Sequence, residues 1–284
     1  MSDYYKYHGL GNDYLVIDPS KLEFNLDLSI QNIKLICNRN LGIGSDGILF
    51  GPIIKEKKIT FKIFNPDGSE AEKSGNGIRI FALYLIDAGY VTEDRFDLYT
   101  KGGKVQIKVV DLKSNLLQVN IGSYSFRSSD IPVSLDEERA INQEIDLLGK
   151  NEIINCVNVG NPHCVLIKQS ISEGLCKSLG PILECHKLFP NKTNVQFVQI
   201  LDKSNIKIEI WERGAGYTSA SGTSSCAASC VAHELGLVEK QVSVHMKGGK
   251  LSVEILPDEL LLTGPVSRVF HGTFSKDFIQ NISN

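Results

Sequence analysis

The chain reads as an α+β protein of two pseudo-symmetric halves, each mostly antiparallel strand wrapped around one buried helix. Three observations predict this. The first is a pair of matched turns, Phe64-Asn65-Pro66-Asp67-Gly68-Ser69-Glu70-Ala71-Glu72-Lys73-Ser74-Gly75 and Trp211-Glu212-Arg213-Gly214-Ala215-Gly216-Tyr217-Thr218-Ser219-Ala220-Ser221-Gly222. Each opens a helix-like run that stops at a glycine, and both Ser221 and Gly236 lie 147 positions after their counterparts Ser74 and Gly89. The second is that the surrounding blocks keep step. Ile59, Phe61 and Ile63 alternate as a half-buried strand should, and Ile206, Ile208 and Ile210 repeat this 147 positions on. Lys101-Gly102-Gly103-Lys104-Val105 is echoed by Lys247-Gly248-Gly249-Lys250-Leu251 at 146, Gly11-Asn12 by Gly160-Asn161 at 149, and Asp46-Gly47-Ile48 by Thr193-Asn194-Val195 at 147. A period this long means two domains rather than a solenoid. The third is the run from Gly75 to Ala88, apolar on nearly every face, which implies a helix buried all round.

Taken in order, residues 5–18 read as a strand with a turn at Gly9-Leu10-Gly11-Asn12. Ser29 to Asn38 has helical periodicity behind a serine cap, and 47–54 and 57–65 read as strands. The buried helix ends at Gly89 and strands follow at 95–100, 104–111 and 115–121. A polar, charge-rich stretch from Ser128 to Asn151 is the expected connection, after which the order repeats. The halves are taken as 1–125 and 126–284, with the extreme C-terminus free to pack back on the first.

Composition narrows the function classes. A chain of 284 residues with 42% hydrophobic and 22% charged side chains describes a soluble globular protein able to bury two cores. A net charge of −3 gives no reason to expect nucleic acid, and the lysines at 55, 57 and 58 read as a solvated loop. No stretch reaches the apolar length of a membrane span, and the first residues lack the apolar core of a signal peptide, so the expected location is the cytoplasm. Seven cysteines without a CxxC pair signal neither a disulfide framework nor zinc; Cys226 and Cys230 read as small packing residues. The histidines show no ligand spacing, and no metal is expected. Gly42-Ile43-Gly44-Ser45-Asp46-Gly47 matches GxGxxG, but a helix precedes it and a strand follows, so it reads as a glycine-rich turn and not a dinucleotide site.

Ser74-Gly75-Asn76-Gly77 and Ser221-Gly222-Thr223-Ser224 each place a small hydroxyl at a helix start. One such turn alone is most simply an N-cap. Two, at equivalent points of a duplicated fold, suggest helix N–H groups arranged to cradle one anion, such as an α-carboxylate. Around them Asn12, Asn65, Asn161, Asn194, Glu212 and Arg213 are groups able to grip a polar amino acid. Arg213 suits a carboxylate and Glu212 an ammonium, while His163 could tune a neighbouring catalytic group. Singly, each reads as a turn residue or surface charge.

Together, Tyr7-His8-Gly9-Leu10-Gly11-Asn12-Asp13, Phe64 through Glu72, Ser74 through Gly77, Gly160-Asn161-Pro162-His163, Thr193-Asn194-Val195 and Glu212 through Gly216 closely resemble diaminopimelate epimerases over nearly the whole chain. The resemblance implies two strand barrels, each around a central helix, with the active site in the cleft between them. It implies cofactor-independent inversion at an amino acid's α-carbon, LL- to meso-diaminopimelate, in the supply of lysine and cell-wall precursor. It also implies a small amino-acid substrate and makes a homodimer plausible. By position, Asn12, Asn65, Asn161, Asn194, Glu212 and Arg213 would hold substrate. Gly75, Asn76, Gly222 and Thr223 would offer amides to its carboxylate, and His163 and Glu212 would modulate the catalytic pair.

That pair is cysteine in the family and is Ser74 and Ser221 here. A thiol can be tuned into a thiolate base, whereas a serine hydroxyl is a far weaker acid and needs a partner base. Either an engineered double Cys→Ser change or a natural serine-bearing relative accounts for it. Lys73, Tyr217, Ser225 and Lys247 also depart from the family's usual residues, which favours natural divergence. Besides epimerisation, a racemase or lyase acting on another amino acid and a non-catalytic amino-acid binder remain open.

Overall fold

A computed structural model describes residues 3–283, and in it one series of elements runs twice. The chain divides into two compact units. The first takes in the sequence through Val119 and again from Gly264; the second is Asn120–Thr263. The boundary read from the sequence, 125/126, falls inside the second unit.

In the first unit, β1 (Tyr4–Gly9) and β2 (Asn12–Ile17) form an antiparallel hairpin. Its two-residue turn holds Leu10 at φ 56° and Gly11 at φ 89°. Positive φ at both central residues matches the twist of the flanking strands, so 5–18 is two strands folded back on each other rather than one. From β2, α1 (Ile30–Cys37) crosses to β3 (Ile48–Lys55), which lies parallel to β2. A tight turn, with Glu56 at φ 48° and Lys57 at φ 62°, leads to antiparallel β4 (Lys58–Phe64) and the short β5 (Glu70–Ala71). Then α2 (Gly75–Asp87) crosses to β6 (Arg95–Thr100), parallel to β4 at Thr60 and Tyr99, and β7 (Gly103–Asp111) and β8 (Leu116–Gly122) complete an antiparallel meander. The C-terminal strand Ser267–Gly272 pairs with β1, and its Arg268 holds Asp87, at the end of α2, through two bonds of 2.6 and 2.7 Å. Phe274 and Ile282 beyond it join a core with Leu15, Ile17, Ile33 and Ile36.

The second unit repeats the plan. After β9 (Gln143–Leu147) come β10 (Lys150–Asn158), β11 (Pro162–Ile167), α3 (Glu173–Glu184), β12 (Asn194–Asp202), β13 (Asn205–Glu212), β14 (Gly216–Thr218), α4 (Gly222–Glu234), β15 (Gln241–Met246), β16 (Gly249–Ile255) and β17 (Leu260–Pro265). The parallel steps recur where helices cross over: β11 to β12 past α3, and β13 to β15 past α4. The remaining neighbours within this unit are antiparallel. One element was hidden: the expected polar connection contains β9, whose Ile145 and Leu147 point inward while Glu144 and Asp146 face solvent. Alternating charge there masked a half-buried strand.

Each unit's crossover helix is enclosed. Gly75 through Leu85 of α2 are buried, and the Phe81 ring stacks on Phe61 with centroids 4.1 Å apart. A Cβ on Gly51 would lie 2.8 Å from the Phe61 Cβ, so glycine at that point lets β3 approach the stacked pair. In the second unit α4 is lined by alanine, serine and cysteine and packs against β10, β11, β12, β13, β15 and β16. Small side chains let strands close around it on every side. The glycine-rich segment after α1 is a turn: Gly44 has φ 80°, and a Cβ on Gly42 would sit 1.9 Å from the Leu35 carbonyl oxygen. Among the described residues, no helix is long and apolar enough to cross a membrane.

The stacked pair at the centre of the first unit sets an expected stability effect. Phe81→Ala removes a fully buried ring and leaves a void against Phe61. It should cost about 3–5 kcal/mol of unfolding free energy, read from urea denaturation.

Candidate active site

The two serines singled out from the sequence are both N-caps. Ser74 (φ −143°, ψ 115°) and Ser221 (φ −149°, ψ 131°) have nearly the same extended backbone before α2 and α4. The Ser74 hydroxyl accepts from Gly77 N–H at 3.0 Å and its carbonyl from Ile78 N–H at 2.8 Å. Ser221 does the same toward Ser224 and Ser225, at 3.4 and 3.1 Å. In both helices the hydroxyl therefore takes the third N–H and the carbonyl the fourth. The first two, on Gly75 and Asn76 and on Gly222 and Thr223, are the donors that a helix start leaves for another acceptor. Partial positive charge at the helix end favours an anion there.

In the first unit the amide side chains form a chain behind Ser74. Asn76 donates to Asn12 Oδ1 at 3.1 Å, and Asn12 donates to Asp46 Oδ2 at 3.0 Å. Asp46 and Asp13 share Arg39, and Lys6 lies 2.8 Å from Asp13. Burial raises the Asp13 carboxyl, but Arg39 and Lys6 outweigh it and hold the group below the usual carboxylate range. Asn76 Oδ1 accepts from Arg79 Nη2 at 2.6 Å, while Arg79 Nη1 donates to the Gly75 carbonyl at 3.0 Å. Arg79 is fully buried inside an otherwise apolar helix. It braces the first turn of α2, and Asn76 links that turn to the Asn12 loop. Asn65 stays within its own turn, donating to Ser69 Oγ at 3.0 Å.

In the second unit parallel pairing sets His163 beside Asn194 and Val165 beside Gln196. His163 Nε2 lies 2.9 Å from Asn161 Oδ1, and Gln196 Nε2 lies 3.0 Å from Ser224 Oγ. His163 Nδ1 and Gln196 Oε1 both lack a partner among the described residues, although the two side chains touch. Turning the Gln196 carboxamide by half a turn satisfies both atoms, with Nε2 donating to Nδ1 and Oε1 accepting from the Ser224 hydroxyl. A continuous buried chain then runs from Asn161 through His163 and Gln196 to Ser224, whose N–H donates to Ser221. Full burial pushes the His163 imidazole down to about 3; the Gln196 contact opposes this and the Arg213 charge adds to it. The ring is neutral.

Asn194 bridges two loops, donating to the Pro162 carbonyl at 2.9 Å and accepting from Arg213 N–H at 3.0 Å. The exposed Arg213 guanidinium donates to the Asn191 carbonyl at 3.1 Å, and half-buried Glu212 ends β13 beside it. Thr223 Oγ1 lies 3.5 Å from Ser221 Oγ. Behind this turn, Glu184 accepts from Trp211 Nε1 at 2.8 Å and from Gly214 N–H at 3.1 Å, with Lys192 at 3.4 Å. Burial raises that carboxyl, yet these donors together hold it below its ordinary value. Gly180 of α3 leaves room for the indole, since a Cβ there would lie 2.6 Å from Trp211 Cγ.

Sequence reasoning missed Arg79, Glu184, Gln196, Ser224 and Tyr14, whose hydroxyl lies 3.1 Å from Ser74 Oγ. Arg79 did carry a signal, as the one charged residue among the buried positions 75–85 of α2. The others look like ordinary strand or helix residues until pairing brings them together.

The neutral His163 generates a pH dependence. An unfolded chain protonates this imidazole below its ordinary 6.5, but the folded protein refuses the proton until about 3. Its contribution is complete above that ordinary value and is lost as pH falls through the window, by up to about 1.4 kcal/mol per pH unit. Between pH 7 and pH 5 the parent protein should lose roughly 2 kcal/mol more than His163→Gln, measured by urea denaturation at each pH.

The chain matches the family model for diaminopimelate epimerase over residues 4–127 and 155–269. It is 49% identical to "Diaminopimelate epimerase 2" of Nostoc sp. over 99% of both chains. It is 40% identical to the diaminopimelate epimerase of Caldanaerobacter subterraneus subsp. tengcongensis over 94% of this chain and 97% of that relative. Among solved structures, a probable proline racemase from Agrobacterium radiobacter superposes with a TM-score of 0.70 at 13% identity, covering 98% of this chain and 94% of that one. A hydroxyproline epimerase from Agrobacterium vitis gives 0.67 at 12% identity, covering 94% and 90%. These likenesses extend the fold beyond close relatives. The duplicated α+β plan, the capped helix in each unit and the full-length match together make the chain a member of the diaminopimelate epimerase family.

Proposed function

We propose that the protein epimerises diaminopimelate or a close amino-acid analogue at an α-carbon, without a cofactor, using Ser74 and Ser221 as the two proton carriers. The observation that carries this reading is the equivalent placement of the two hydroxyls. Each caps the buried helix of its unit and sits beside two helix N–H groups suited to a carboxylate. In the forward direction one serine oxygen takes the α-proton and the other hydroxyl returns a proton to the opposite face. The carbanion formed between those steps is stabilised through its carboxylate by the amides of Gly75, Asn76, Gly222 and Thr223. Asn12, Asn161, Asn194, Glu212 and Arg213 hold the substrate's polar groups, with Asn65 at the edge of the same turn region. His163, neutral and hydrogen-bonded toward Ser224, influences Ser221 as a dipole and not as a charge. Location in the cytoplasm fits this role.

Serine lowers the expected rate, because its hydroxyl lies far from the pKa that suits proton transfer at neutral pH. In heavy water, LL-diaminopimelate should gain α-deuterium slowly with the parent protein and not at all with Ser74→Ala. The double variant Ser74→Cys/Ser221→Cys should accelerate exchange by about 10²–10⁴-fold. Tight diaminopimelate binding with no deuterium at either centre, in parent and double variant alike, would instead identify a binder that has lost the chemistry.

A further inference from the structure

We infer that Tyr14 is a positioning residue that shares the proton of Ser74, so that the tyrosine–serine pair does in this chain what a lone thiol could do. The inference rests on Ser74 being the proton carrier of the first unit. Tyr14 lies on β2, almost completely buried, with its hydroxyl 3.1 Å from Ser74 Oγ. Ser74 Oγ already accepts from Gly77 N–H at 3.0 Å, so its surroundings are set on one side by the helix and on another by the phenol. The ring is clamped in place. A Cβ on Gly47 would lie 2.6 Å from Tyr14 Cε1, and the Gly47 carbonyl accepts from Leu15 N–H next along the strand at 3.1 Å. The hydroxyl, which a phenylalanine would lack, is the atom that reaches Ser74 Oγ.

The chemistry supplies a reason. When Ser74 Oγ removes an α-proton, its own hydroxyl proton passes to the oxygen of a Tyr14 phenolate, and the substrate is left as a carbanion. In the reverse step the carbanion takes the proton from Ser74 Oγ–H while Tyr14 O–H re-protonates Oγ and becomes phenolate again. One C–H and one O–H bond break and two O–H bonds form (the reverse in the other direction), so two protons each move one place and no outside acid or oxidant is needed. The base that ends up holding the proton is a phenol oxygen, ordinarily of pKa about 10, rather than a serine alkoxide, which is far harder to generate. Among the described residues no phenol is hydrogen-bonded to Ser221 Oγ, which meets Thr223 Oγ1 and Ser224 N–H.

The test is α-deuteration of diaminopimelate in heavy water by five proteins: the parent, Tyr14→Phe, Ser74→Ala, Ser74→Cys and Tyr14→Phe/Ser74→Cys. Loss of the phenol should slow exchange by at least ~100-fold in the serine background. In the cysteine background, where the thiol carries its proton unaided, Tyr14→Phe should change the rate by no more than about twofold. Activity of the double variant also shows that Tyr14→Phe folds. An unchanged rate in the serine background, or an equal fall in both, overturns the shared proton and leaves Ser74 in its role. Exchange by Ser74→Ala as fast as by the parent, or no exchange by the parent, overturns both readings.

Discussion

The constraint on which the rest depends is the capping of one buried helix in each unit by a serine. A buried helix start must satisfy its first N–H groups or lose stability, and a hydroxyl one residue outside the helix satisfies the third. That geometry also fixes where the hydroxyl can point. It sits at the mouth of the helix, beside two donors still available and within the partial positive charge of the helix end. A group that must be placed for folding is thereby placed for chemistry. The same logic holds in both units, because the backbone angles of Ser74 and Ser221 differ by only a few degrees in φ.

What surrounds each cap differs. Behind Ser74 lies a charged network, with Arg79, Asp46, Arg39, Asp13 and Lys6 linked through Asn76 and Asn12. Behind Ser221 the chain from Asn161 to Ser224 is neutral throughout, and His163 is kept uncharged by burial. Lys6, Asp13, Arg39 and Asp46 compensate one another, and the buried Arg79 donates to the Asn76 and Gly75 oxygens. In the second unit alanine, cysteine and serine line the buried part of α4 and let the strands close tightly around it. Duplication thus preserved the cap while the support behind it diverged.

Serine stands at 74 and 221 where cysteines were expected, and a hydroxyl used as a proton carrier would need more from its neighbours than a thiol. A thiol needs only a modest environment to ionise, whereas a hydroxyl needs a partner whose own proton is movable. Among the described residues a phenol, that of Tyr14, stands beside Ser74 Oγ, and none is hydrogen-bonded to Ser221 Oγ. Unequal partners suit a reaction in which one group removes a proton and the other supplies one, and they would make the two directions of inversion differ in rate.

Much was legible along the chain because it is local or repeated. The stop at Gly89, the caps at Ser74 and Ser221, the Asn-rich turns and the alternating isoleucines each follow from backbone geometry or side-chain period over a few residues. Repetition at a fixed offset turned weak local signals into a two-unit fold. Strand β9 was missed because its outward positions carry charge. Arg79, Glu184, Gln196, Ser224 and Tyr14 were not assigned because what defines them is a neighbour remote in sequence: Tyr14 meets Ser74 across β2 and α2, and Gln196 meets Ser224 across β12 and α4. The amino-acid order by itself settled which hydroxyls cap which helices, since a cap needs only the next three residues. The packing of strands against helices decided which distant polar groups stand behind those hydroxyls, because hydrogen bonds of about 3 Å are made by positions in space and not by positions in the chain.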